Sequence, residues 1–93
     1  MSAAQAIRER LSALEPQALE LVDESEKHRG HAGYREGGGT HWRLCIVSPR
    51  FQGRSTLERH RMIYQALGSL MQHPIHALAI SARSPEETKG TTP

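Results

Sequence analysis

His41-Trp42-Arg43-Leu44-Cys45-Ile46-Val47 is the run that decides how this chain folds. In an extended backbone successive side chains point to opposite faces, so Trp42, Leu44 and Ile46 share one face while Arg43, Cys45 and Val47 share the other. Ser48-Pro49 stops the run, because proline cannot donate to a sheet ladder. Two weaker runs flank it. Ala18-Leu19-Glu20-Leu21-Val22-Asp23 alternates briefly between Pro16 and a polar stretch, and His76-Ala77-Leu78-Ala79-Ile80-Ser81-Ala82 follows Pro74. Each reads as a strand. The first is expected to pair antiparallel with the central run. If the central and third strands are parallel neighbours, the chain between them must make a right-handed crossover.

The segments outside the strands read as helices. Ser2 with Gln5 has capping-box spacing, and Ile7, Leu11 and Leu14 recur at helical intervals, so a first helix is predicted over 3–14, closed by Pro16. Ser55 with Glu58 repeats the cap. Leu57, Ile63, Tyr64, Leu67, Leu70 and Met71 then supply an apolar stripe over about four turns, ended by Pro74. Phe51-Gln52-Gly53 reads as a turn, and Ser84-Pro85-Glu86-Glu87 as the start of a short last helix. The predicted order is α-β-β-α-β-α: an α+β sandwich in which a three-stranded mixed sheet is covered on one face by helices. Residues 1–87 read as one domain and 88–93 as a frayed tail.

With 93 residues the chain has room for one modest core and no second domain. No apolar run approaches the roughly 18 residues of a membrane span, and the N-terminus lacks a secretory layout, so a soluble, cytoplasmic protein is expected. The formal charge is +2, from 12 Lys and Arg against 10 Asp and Glu. The excess gathers at Arg50, Arg54, Arg59 and Arg61, opposed locally by Glu58 alone, which predicts one basic surface. That surface is either a solvated helix face, a contact for an acidic partner, or a site for nucleic-acid phosphates.

The stretch 25–39 carries His28 and His31 among charged residues and ends in Gly37-Gly38-Gly39, so it reads as a long loop. The glycines lack the following Lys-Ser or Lys-Thr and the helix of a phosphate-binding loop. Ser25, Ser48 and Ser55 sit at a strand end, a turn and a cap with no base and orienter beside them, so no enzyme is expected. Cys45 is a lone cysteine in mid-strand, which predicts a small buried apolar side chain and no chelating pair. His41, opening the central strand, reads as an anchor for the loop; His60, between Leu57 and Tyr64, reads as lying on or beside the helix stripe, and His73 follows the helix end.

Taken together, Asp23-Glu24-Ser25 with His28, Thr40-His41-Trp42, Phe51-Gln52-Gly53 followed by Arg59-His60-Arg61, and His76-Ala77-Leu78 resemble the BolA family in order and spacing over nearly the whole chain. The resemblance implies a BolA fold, which is similar to the type II KH domain. It also implies a heterodimer with a monothiol glutaredoxin around a shared 2Fe-2S cluster, with glutathione and the glutaredoxin cysteine on one side. By motif position the ligands from this chain would be His76 and His28, with His31 as substitute, and the isolated chain would carry no cluster. Imidazole does ligate such clusters, raising their potential and making it sensitive to protons. The resemblance further implies a second role, as a promoter-DNA-binding regulator of stress, morphology and biofilm, acting through the arginine-rich helix and turn. Phe51-Gln52-Gly53-Arg54 lacks the GXXG clamp of RNA-binding KH domains. Without its partner the chain is expected as a monomer or weak dimer.

Overall fold

A computed structural model describes residues 2–25 and 38–89. Its elements are α1 (Ala3–Leu11), β1 (Ala18–Asp23), β2 (His41–Val47), α2 (Thr56–Leu67), β3 (Ala77–Arg83) and α3 (Pro85–Lys89). This is the α+β order expected. Both capping boxes form: the Ser2 hydroxyl accepts from the Gln5 N–H and the Ser55 hydroxyl from the Glu58 N–H, each returned by the Gln5 or Glu58 side chain. α1 is shorter than predicted. Its α-helical turns stop at Leu11, and a 3₁₀ turn over Ser12–Leu14 completes the stretch. Glu15 then turns left-handed at φ 50 as the C-cap of that turn, and Pro16 after it prevents the helix from continuing.

The sheet order is β1-β2-β3, antiparallel between β1 and β2 and parallel between β2 and β3. One face carries Leu19 and Leu21, then Trp42, Leu44 and Ile46, then Leu78, Ile80 and Ala82. All pack into the core with Ile7, Leu11, Leu14, Phe51, Ile63, Leu67 and Ile75. The Arg10 guanidinium donates to the Leu67 carbonyl at 3.1 Å, and the Ser48 hydroxyl donates to the Leu14 carbonyl, so polar ties reinforce the apolar contact at both ends of the helical layer.

Four further details depart from the sequence reading. On α2 the inward positions are Arg59, Ile63 and Leu67, while Leu57 and Tyr64 are exposed, because the stripe follows i, i+4, i+8 from Arg59. β3 runs one residue later than expected, since the His76 N–H is spent on the Thr40 carbonyl before the ladder begins. α3 runs to Lys89, taking residues 88 and 89 out of the expected tail. Cys45 lies opposite Trp42, as the alternation predicts, but it is half-buried and not the buried side chain expected, because no described helix covers that face.

Candidate functional site

The site is built where the chain leaves β1 and re-enters the sheet at β2. Asp23 is the hub. Its Oδ1 accepts from the Ser25 N–H at 2.9 Å and the Ser25 hydroxyl at 2.6 Å, and its Oδ2 accepts from the Gly39 N–H at 3.0 Å. Partial burial opposes the charge on Asp23, but those hydrogen bonds from Ser25 and Gly39, helped by charge on His41, outweigh it and hold the carboxyl below its ordinary value. Gly38 lies against the same carboxylate at φ +83, where a Cβ would stand 2.6 Å from Oδ2, so only glycine fits. The Trp42 indole N–H donates to the Gly39 carbonyl at 2.9 Å. The two ends of the stretch 26–37 are thus closed by a collar of described residues.

The buried Ser25 hydroxyl also accepts from the N–H groups of Thr40 at 3.1 Å and His41 at 3.2 Å. The Thr40 hydroxyl lies 2.9 Å from His41 Nδ1, which sets the plane of an imidazole only 5% exposed. The Thr40 carbonyl accepts from both the His76 N–H at 2.8 Å and the Ala77 N–H at 3.1 Å. One peptide therefore positions both histidines. The rings of His41 and His76 stand 5.3 Å apart between centroids, tilted by 52°. His76 is exposed, and beside the pair lies a shallow cavity of about 250 Å³ lined by Glu24, His41, Trp42, Ala77, Leu78 and Ala79. Glu24 forms part of its wall and pairs with Arg43 at 2.9 Å.

His28 and His31 lie outside the described residues. Of the described residues that flank them, Ser25 and Gly39 are held by Asp23, and His41 reaches the collar through its backbone N–H to the Ser25 hydroxyl while its ring meets the Thr40 hydroxyl. Among the described residues no group of three His, Cys, Asp or Glu side chains could hold a metal ion, so a metal at His76 needs donors from elsewhere. The His41–His76 contact escaped the sequence reading. Parallel pairing of β2 with β3, which sets His41 beside Ala77, is the signal that reveals it.

The expected basic surface divides. Arg50 is exposed but pairs with Glu15 at 2.7 Å, and Arg54 is 3.6 Å from Glu58. Arg61 is exposed and has no ion-pair partner among the described residues. Arg59 is not part of that surface. It is 9% exposed and donates to the Arg54 and Ala82 carbonyls and, at 2.6 Å, to Glu87. Its position in line with Ile63 and Leu67 buries it. The hydrogen bond from Arg59, with a second from the Ser84 N–H, brings Glu87 down to about 2. His60 is half-buried with its ring edge-on to Tyr64 at 6.4 Å, on the outer flank of α2.

A family model described as BolA-like protein matches residues 11–87. BolA-like protein 1 of Bos taurus is 48% identical over 85 residues, covering 90% of this chain and 60% of its own length, so the chain spans three fifths of that relative. A protein named DNA-binding transcriptional regulator BolA, from Escherichia coli strain K12, is 39% identical over 89 residues, with 90% of this chain and 81% of that one covered. Among solved structures, the BolA domain of SufE1 from Arabidopsis thaliana superposes with a TM-score of 0.82 at 43% identity, covering 94% of this chain and 96% of that domain. No helix among the described residues is long and apolar enough to cross a membrane.

Proposed function

The chain belongs to the BolA-like family, and from that premise we propose that it is a non-enzymatic adaptor that docks on a monothiol glutaredoxin and shares a 2Fe-2S cluster with it. The observation that supports this reading is the exposed His76 imidazole, held beside His41 at the mouth of the segment that carries His28 and His31. The donor set suits a shared cargo and not a resident one. This chain offers His76, with His28 or His31 as its second donor, while the glutaredoxin cysteine and glutathione supply the thiolates it lacks. What the cluster supplies is an iron that accepts imidazole nitrogen. What this chain supplies is orientation, because the Thr40 carbonyl fixes the backbone at His76. We place the partnership in the cytoplasm, where a lone thiol stays reduced.

Titrating the protein into a cluster-loaded monothiol glutaredoxin is expected to change its visible absorption and circular dichroism, and His76→Ala to abolish that change. His28→Ala and His31→Ala assign the loop donor. A stable heterodimer with an unchanged spectrum sinks the ligand assignment.

The name of the Escherichia coli relative favours a second reading, binding of promoter DNA. With Arg59 turned inward, the side chains left to meet phosphates are Arg50, Arg54 and Arg61. Sequence preference that survives physiological salt supports this reading, and weak binding that vanishes with salt regardless of sequence removes it.

A further inference from the structure

The sheet has a second face. It carries Ala18, Glu20 and Val22 on β1, Arg43, Cys45 and Val47 on β2, and Ala77, Ala79, Ser81 and Arg83 on β3. Among the described residues no helix covers it: Ala18, Glu20, Ala77, Ala79 and Arg83 are exposed, and Val22 is 40% exposed. Along the middle strand Cys45 and Val47 are short, so another flat surface can approach closely there, and the one long side chain, Arg43, is engaged by Glu24. Its charges are arranged by edge. Arg43 is already matched by Glu24. Glu20 on one edge and Arg83 on the other have no ion-pair partner among the described residues.

We propose that this open face packs against the same face of a second copy of the chain, as a symmetric homodimer in which Glu20 of each copy meets Arg83 of the other. The register selects the symmetry. Glu20, Cys45 and Ser81 form one row across the sheet, and Ala18, Val47 and Arg83 form the next. A two-fold axis parallel to β2 lays β1 of one copy over β3 of the other. Glu20 then falls one row from the opposing Arg83, about 7 Å along the strand and within reach of a guanidinium. An axis perpendicular to the strands would instead set Glu20 near Glu20 and Arg83 near Arg83. Packed sheets lie about 10 Å apart, which seats the two Cys45 side chains at the axis but holds their backbones too far apart for a disulfide. Three short strands cover a few hundred Å² per copy, well under the roughly 800 Å² of a standard interface, so association is weak and self-limiting.

The proposal is independent of the cluster reading, and charge exchange tests it. Sedimentation velocity across the micromolar to millimolar range is expected to show a concentration-dependent dimer for the native chain. The rate of Cys45 alkylation by iodoacetamide should fall in parallel as the thiol is covered. E20R and R83E are each expected to stay monomeric with an unchanged circular dichroism spectrum, whereas an equimolar mixture of the two, and the doubly exchanged chain, should regain the dimer. A native chain that stays monomeric throughout overturns the proposal. So does association that persists in both single variants, which places the contact elsewhere, or Cys45 protection that appears only when glutaredoxin is added.

Discussion

Gly38 and Glu87 show how much of this molecule turns on single residues. Gly38→Ala must both adopt φ +83 and push a methyl into the Asp23 carboxylate. We expect it to destabilise the fold by about 1–2 kcal/mol in urea unfolding, and to loosen the collar first. At Glu87 the folded value of about 2 lies below the ordinary 4.5. As pH falls, the unfolded chain takes up this proton before the folded one does. The contribution of Glu87 is therefore complete above about pH 4.5 and drains away as the pH drops toward about 2. Asp23 and Glu58 are shifted in the same direction. The signature of Glu87 is thus the difference between the native protein and Glu87→Gln, which should be less stable at neutral pH and converge on the native chain in acid. At this scale the sequence was only partly legible. His76 announces itself by position, but whether Arg59 faces solvent or Ala82 depends on which of two nearly equal stripes α2 turns inward. Alternation alone puts Cys45 opposite Trp42, but how much of that face is covered depends on where the helices pack, and residue type does not decide that.

The elements were far more legible than their ends. Proline, the two capping boxes and strict alternation in β2 act locally, so they mark β1, β2 and both long helices from nearby residues alone. Ser55→Ala removes the acceptor for the Glu58 N–H at the start of α2. It should cost about 1 kcal/mol, seen as a lowered unfolding midpoint with an unchanged urea slope. The ends are set by tertiary contacts. α2 passes into a 3₁₀ turn at Gly68–Met71, where Gly68 at φ +55 sits 3.1 Å, measured from a would-be Cβ, from the Arg10 guanidinium. That guanidinium comes from α1, far away in sequence. β3 starts late for a similar reason, since the carbonyl that takes the His76 N–H belongs to Thr40.

At the scale of the whole molecule, the sheet separates two kinds of surface. His76 stands at the end where the collar closes, and Glu20 and Arg83 lie out on the open face. We expect His76→Ala to dimerise like the native chain, and E20R to change the spectrum of a cluster-loaded glutaredoxin as the native chain does; a shared defect in either variant would show that the surfaces overlap. The collar also acts as a latch between two stretches of chain. Its described bonds join residues 23–25 to residues 38–42 across the sheet end. The entropy of bringing such ends together rises only slowly with the chain length between them. How firmly the two described ends are held is therefore set by the few donors and acceptors gathered at Asp23 and Ser25, and hardly at all by how far apart those ends lie along the chain.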